Sequence, residues 1–191
     1  MKIQIKTTDG IVIFGMRGSG KTYASVQLVK KLMQKTKIVI LDPTGVYRIY
    51  KKEFDPKKVA VFEVDVLDED KINSVLNWAF KNKAFVVIDE ASEFPFEKYG
   101  SIRALVMRAR NWGCGYIAIT RAPAELRKPF IANATFSFIF RIYELNAIDY
   151  LTHNYYVKAE EIRAIKDHEF ILARGEEIVR DKNGKVIYFT F

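Results

Sequence analysis

The chain has 191 residues, of which 49% are hydrophobic and 28% charged, so it is long enough for one globular domain (1–191) and too apolar for a disordered chain. The formal net charge of +8 is compatible with a polyanionic partner. The single cysteine, Cys114, excludes a disulfide framework and a cysteine-rich zinc module. Together with a polar N-terminus and the lack of any apolar run near the ~20 residues of a membrane span, it predicts a cytoplasmic protein with no membrane segment.

Strand patterns alternate with helix patterns along most of the chain. Segments rich in β-branched and aromatic residues predict strands at 11–14, 37–41, 59–64, 84–89, 116–120 and 136–142. Between them, apolar residues at helical spacing predict helices at 21–35, 69–82 and 101–112. Several strands are apolar throughout, as expected when helices cover both faces of a sheet. The alternation predicts an α/β domain with a mostly parallel central sheet.

The C-terminal part has a different pattern. A short helix is predicted at 159–165, followed by strands at 169–173, 177–180 and 186–191. The step Asn183-Gly184 favours a tight turn, so the last two strands are predicted to form an antiparallel hairpin. Residues 2–6 are predicted to add an edge strand.

A phosphate-binding loop is predicted between the first strand and the first helix. Residues 15–22 read GMRGSGKT and match the pattern G-x-x-x-x-G-K-[ST] in full. In such a loop the backbone N–H groups and the helix N-terminus hold an anion. Lys21 is predicted to reach the β- and γ-phosphates of ATP, and the Thr22 hydroxyl to coordinate Mg²⁺. The predicted nucleotide-binding residues are Gly15, Met16, Arg17, Gly18, Ser19, Gly20, Lys21 and Thr22.

Two carboxylates follow the apolar strand FVVI at 85–88. In a phosphate-loop protein, Asp89 at this position would hold the Mg²⁺ through water. Glu90, next in the chain, would polarise a water molecule for in-line attack on the γ-phosphate. The two motifs together predict ATP hydrolysis.

A small-molecule kinase with a phosphate-binding loop is the alternative that the residues leave open. Such enzymes usually close an arginine-rich lid over the phosphates to exclude water, and no compact insertion of this kind is visible in the sequence. The pair Asp89-Glu90 favours hydrolysis, because it places a water activator beside the phosphates.

Other segments resemble the FtsK/HerA superfamily of DNA-pumping ATPases. The resemblance runs from about residue 11 to 175, and a chain of this length resembles most the genome-packaging ATPases of icosahedral archaeal viruses. Two positions depart from the family pattern, since Val46 stands where glutamate is frequent and Arg121 where glutamine is usual. The segments that carry the resemblance are DPTGVY at 42–47, RARNWGCG at 108–115 before the strand 116–120, RAP at 121–123, IANAT at 131–135, and the pair Asn146 and Asp149.

The resemblance implies a RecA-like domain that assembles into a ring, for which a hexamer is expected, with ATP bound between subunits. It implies that Arg110, at the position of the arginine before the family's glycines, completes the site of a neighbouring subunit. Either Thr120 or Arg121 would sense the γ-phosphate. Double-stranded DNA is the implied substrate, and capsid proteins are possible further partners.

Three other functions stay open at this point. The chain could be a HerA-like helper of DNA end processing or a Zot-like ATPase of phage assembly. It could also be a binding module in which ATP is bound without turnover and only switches the affinity for a partner.

Overall fold

The computed structural model describes residues 4–97 and 100–191. Its strands are β1 (Gly10–Phe14), β2 (Ile38–Asp42), β3 (Val59–Glu63), β4 (Phe85–Ile88), β5 (Tyr116–Thr120), β6 (Phe136–Phe140), β7 (Phe170–Arg174), β8 (Glu177–Ile178) and β9 (Tyr188–Phe189). Its α-helices are α1 (Lys21–Leu32), α2 (Glu69–Lys81), α3 (Ser101–Arg108), α4 (Lys128–Ala132), α5 (Leu145–Tyr155) and α6 (Ala159–Arg163). Two 3₁₀ helices span Val46–Glu53 and Ala109–Trp112.

The strands form one sheet in the order β3-β2-β4-β5-β1-β6-β7-β8, with β9 also paired to β7. The strands from β3 to β6 in this order are parallel, and β7 runs antiparallel to β6. The predicted α/β fold with a mostly parallel sheet and antiparallel C-terminal strands is therefore confirmed.

Both faces of the sheet are buried, which explains the continuous apolar strands. Ile11 and Ile13 of β1 pack with α1 on one face, and Val12 and Phe14 pack with the helices of the other face. Each face has its own hydrophobic cluster, so the site-bearing strands are held rigidly from both sides.

Three helical segments were not predicted from the sequence. They are the 3₁₀ helix Val46–Glu53, the short helix α4 and the eleven-residue helix α5. In addition, the helix predicted at 101–112 changes to 3₁₀ geometry at Ala109 and ends at Gly113, whose φ of 74° is left-handed.

The predicted C-terminal hairpin forms its turn but little of its ladder. The Asp181 N–H donates to the Lys185 carbonyl at 2.8 Å. Beyond the turn, the two strands share the bridge Arg180–Val186 and a long hydrogen bond of 3.4 Å from the Ile187 N–H to the Val179 carbonyl. Both strands pair with β7 instead. Strand β8 pairs with the end of β7, and β9 pairs with the start of β7. Of the edge strand predicted at 2–6, residues 4–6 are not in a strand, and residues 2 and 3 lie outside the described residues.

The topology brings four strand ends together at one edge of the sheet. Because β1, β2, β4 and β5 are parallel, their carboxyl ends share this edge, and β5 lies between β1 and β4. The loop 15–22 and the pair Asp89-Glu90 therefore flank the end of β5. Over the described part of the chain, the helices are too short or too polar to cross a membrane.

Candidate functional site

The loop 15–22 leaves a set of backbone N–H groups without partners. The amides of residues 17, 18 and 20–22 donate to no other group of the described chain. Gly18 and Gly20 have φ angles of 79° and 104°, which L side chains rarely adopt. Helix α1 begins at Lys21 with no side-chain cap and no acidic residue in its first turn. The free amides and the helix N-terminus together form an anion-binding site.

Two side chains of the loop are buried in a way that fits a bound phosphate. The Ser19 hydroxyl is buried and has no hydrogen-bond partner within the described residues. The Lys21 ammonium donates to the carbonyl of Met16 at 2.9 Å and is also buried. Burial lowers the pKa of Lys21, and the nearby carboxylates Glu90 and Asp89 partly offset this effect. A bound phosphate would supply negative charge beside the Lys21 ammonium and a hydrogen-bond acceptor for the Ser19 hydroxyl.

The C-terminal strands support the loop from its other side. The Met16 N–H donates to the carbonyl of Arg141, just after β6, at 3.0 Å. Arg141 in turn forms an ion pair with Asp167 at 2.6 Å. A Cβ atom added at Gly20 would lie 3.0 Å from His168 Nδ1, so the close approach of His168 requires glycine there. His168 therefore packs against the loop.

Asp89 lies just beyond β4 and is almost fully buried. The Thr44 hydroxyl lies 3.2 Å from Oδ2 of Asp89 and 3.2 Å from Oδ1 of Asp42. Burial, followed by repulsion from Glu90 and Asp42, raises the pKa of Asp89 to about 6, although Thr44 and Lys21 act in the opposite direction. The fold thus places a carboxylate where a cation would stabilise it.

Asp42 has a structural part in the same site. Its two carboxylate oxygens accept the backbone N–H groups of Val46 at 3.2 Å and Tyr47 at 2.8 Å. These bonds hold the start of the 3₁₀ helix Val46–Glu53 and so fix Thr44 beside Asp89. The resemblance at DPTGVY, residues 42–47, did not predict these roles of Asp42 and Thr44.

The residues present fit Mg²⁺. A carboxylate and a hydroxyl, from Asp89 and Thr22, are hard oxygen ligands of the kind this ion takes. No group of three or more His, Cys, Asp or Glu side chains in residues 4–97 and 100–191 could hold a metal by itself.

Glu90 is held in an unusual conformation and carries an ion pair. Its φ of 47° lies in the left-handed region, which costs a residue other than glycine about 1–2 kcal/mol. Nε of Arg121 donates to Oε1 of Glu90 at 2.8 Å, and Nη2 of Arg121 lies 2.7 Å from the same oxygen. This pairing raises the pKa of Arg121 above its ordinary value. No pattern in the sequence indicates this contact between Glu90 and Arg121.

Thr120, at the end of β5, is fully buried between the loop and the carboxylates. Its hydroxyl lies 3.1 Å from the Ser92 hydroxyl and accepts the Ala122 N–H at 3.3 Å. These contacts fix the backbone that presents Arg121. Of the two residues predicted as sensors, Arg121 has the side chain that can reach outward, because Thr120 is enclosed.

Arg110 does not lie near the other predicted residues of its own chain. Arg110 is exposed and lies in the 3₁₀ helix Ala109–Trp112. Because this helix comes just before β5, Arg110 lies at the amino edge of the sheet, opposite the loop 15–22. There it lines a cavity of about 510 Å³ with Gly10, Tyr116 and Arg174. Within the described ranges Arg110 forms no ion pair. The geometry excludes a role in its own site and leaves it accessible to another subunit.

Comparisons with known proteins agree with this architecture. Residues 7–83 match the family model described as the central domain of helicase HerA. The DNA-packaging ATPase B204 of Sulfolobus turreted icosahedral virus superposes with a TM-score of 0.74 at 17% identity, covering 97% of this chain and 98% of that one. B204 of Sulfolobus turreted icosahedral virus 2, in complex with ATPγS, gives 0.71 at 18% identity with the same coverage.

VirB4 of Thermoanaerobacter pseudethanolicus is a more distant structural relative, with a TM-score of 0.66 and 12% identity over 92% of this chain and 90% of that one. No protein of curated function matches the sequence. At these identities the likenesses establish the fold. The match over residues 7–83 confirms the predicted resemblance to FtsK/HerA ATPases, and the predicted likeness to viral packaging ATPases is confirmed at the level of the fold.

Proposed function

We propose that the protein is an ATP-hydrolysing motor that moves double-stranded DNA, and that its task is to package a viral genome into a capsid. The observation that carries the ATPase part is the grouping of Lys21, Asp89 and Glu90 at one sheet edge beside the unpartnered loop amides. The proposal for DNA rests on the likeness to B204, which extends over nearly the full length of both chains.

Each residue at this edge has a place in the proposed reaction. The loop amides and Lys21 bind the β- and γ-phosphates and neutralise charge as the terminal phosphoryl group departs. Thr22 and Asp89 would hold Mg²⁺, which when bound would supply positive charge to offset the charge of the phosphates. A water molecule attacks the γ-phosphorus in line, Glu90 accepts its proton, and ADP leaves with the bridging oxygen.

The position of Arg110 supports a shared site in a ring, for which we propose a hexamer. An arginine at the amino edge of one subunit can reach the carboxyl edge of the next when subunits pack in a head-to-tail ring. There it would stabilise charge on the transferring phosphoryl group, an effect worth about 10³–10⁵ in rate in related systems.

The first test measures ATP turnover with and without double-stranded DNA. We expect DNA to stimulate turnover, Lys21→Ala to abolish nucleotide binding, and Glu90→Gln to bind ATP yet hydrolyse it at least about 100-fold more slowly. Lys35→Ala, which removes an exposed lysine beyond the end of α1, serves as the matched control and should behave as the wild type. Turnover that is unaffected by DNA would contradict the motor, and tight ATP binding without turnover would indicate a binding module.

The second test examines Arg110 in mixed rings. Glu90→Gln and Arg110→Ala subunits, each inactive alone, should regain part of the activity when mixed, because some interfaces then combine an intact Glu90 with an intact Arg110. Arg108→Ala is the control, since Arg108 stacks on Trp112 in the same segment and should remain active alone. No recovery in rings shown to contain both variants would exclude a role in trans.

Association with empty capsids would separate packaging from the HerA-like and Zot-like alternatives. The basic residues after β2 are weak candidates for the DNA contact, because Arg48 and Lys51 both pair with Glu63. We therefore assign no single residue to DNA.

A further inference from the structure

The ion pair between Arg121 and Glu90 engages the residue that is proposed to activate water. Both Nε and Nη2 of Arg121 point at one oxygen of Glu90, at 2.8 Å and 2.7 Å. A carboxylate oxygen that accepts from two charged donors is a poorer acceptor for a proton from water. While this ion pair persists, Oε1 of Glu90 is not free to accept a proton from water.

We propose that Arg121 is a latch on Glu90 that the γ-phosphate of ATP releases. Without a γ-phosphate the guanidinium holds the carboxylate, and with ATP bound it moves to the γ-phosphate and frees Glu90 to accept a proton from water. This inference rests on the proposed ATPase function. It makes Arg121 a positioning residue for Glu90 in one state and a phosphate contact in the other.

The surroundings of the pair allow this exchange. The side chain of Glu90 is 11% exposed, whereas that of Arg121 is 54% exposed, so the guanidinium can swing through solvent without opening the core. The backbone of Arg121 is fixed, because it follows the buried Thr120 and the Ala122 N–H donates to the Thr120 hydroxyl. An ion pair with one partner in water contributes little net free energy, so a competing anion can break it.

The chemistry of the two partners sets the direction of the exchange. A guanidinium presents parallel N–H groups that match phosphate oxygens, and the γ-phosphate carries more negative charge than one carboxylate. The loop 15–22 would deliver that phosphate to the edge where Asp89 and Glu90 already interact with Lys21. ADP has no γ-phosphate, so the pair re-forms after phosphate release.

The latch predicts how the protein distinguishes ATP from ADP. Binding of Mg²⁺-ATPγS and Mg²⁺-ADP is measured by titration calorimetry for the wild type, Arg121→Gln, Glu90→Gln and the double variant. We expect Arg121→Gln to weaken ATPγS binding at least about tenfold, because a charged contact to the γ-phosphate is lost, and to change ADP binding less than about twofold.

The double variant tests the coupling of the two residues. Glu90→Gln alone should tighten ATPγS binding, because the arginine is no longer held by a charged partner. That gain should disappear when Arg121 is also replaced, since the two effects are not additive for residues in contact. Arg180→Gln is the matched control, because it breaks a comparable ion pair with Glu161 of α6, and it should leave the ratio of the two affinities unchanged.

An unchanged ratio of ATPγS to ADP affinity in a folded Arg121→Gln variant would overturn the latch, and the proposed ATPase would stand if ATP turnover persisted. If Arg121→Gln does not fold, Arg121→Lys permits the same comparison, because lysine keeps the positive charge and lacks the paired N–H groups of the guanidinium. This variant should lose part of the preference for ATPγS over ADP. A wild-type protein that binds neither nucleotide would overturn the proposed function and the latch together.

Discussion

Asp89 should destabilise the protein in the absence of nucleotide, so Asp89→Asn should stabilise it. The pKa of this carboxyl is about 6 in the fold, against an ordinary value of 3.8, chiefly because of burial. An unfolded chain therefore releases this proton at a lower pH than the native chain, and stability falls as the pH rises from about 4 to about 6. One pKa unit corresponds to about 1.36 kcal/mol. The difference between the two pKa values therefore lowers the free energy of unfolding by about 3 kcal/mol at a pH where Asp89 is ionised in both the native and the unfolded state.

The assay compares urea unfolding of the wild type and Asp89→Asn at pH 8 and pH 5, without nucleotide. The variant should be more stable by about 3 kcal/mol at pH 8 and by about half of that at pH 5, where the native carboxyl is largely protonated. Glu125→Gln, at an exposed carboxylate, should change stability by less than about 0.5 kcal/mol. No gain for Asp89→Asn at pH 8, or a gain that does not shrink toward pH 5, would refute the reasoning.

Three further predictions concern buried or strained groups near and away from the site. Ser19→Ala should stabilise the nucleotide-free protein by ~1 kcal/mol in urea unfolding, because it removes a buried hydroxyl without a partner, and a loss would contradict that description. Gly20→Ala should lower the unfolding midpoint more than Gly184→Ala. Both have positive φ, but a Cβ meets His168 only at Gly20, so equal losses would argue against the close contact. Cys114 is fully buried with a raised pKa, so a thiol reagent should label it only at the rate of unfolding, and rapid labelling of the native protein would contradict its burial.

The sequence was most informative where one local pattern decides the structure. The continuous apolar strands and the loop 15–22 predicted the layered fold and the phosphate site, because burial on two faces and a glycine-rich turn each leave a local signal. Helix α5 carried such a signal too, since Ala147, Ile148, Leu151 and Tyr155 recur at helical spacing and are buried, but it was not recognised. The C-terminal turn was predicted correctly and its pairing was not, because β7 offers the longer partner.

Contacts between distant segments could not be predicted in this way. Thr44 and Asp89 are 45 residues apart, and Arg121 and Glu90 are 31 residues apart. Which strand ends meet depends on the sheet order, with β5 inserted between β1 and β4. For the same reason the sequence did not place Arg110 at the edge opposite the loop.

The proposed motor requires two half-sites, at opposite edges of one sheet, that form an ATPase site only when subunits assemble. The most direct measurement is ATP turnover per subunit against protein concentration, with the mass in solution followed by light scattering on the same samples. We expect turnover per subunit to rise as monomers assemble, and Arg110→Ala to remove this rise without preventing assembly. Full turnover by a monomer, unchanged on assembly, would contradict it.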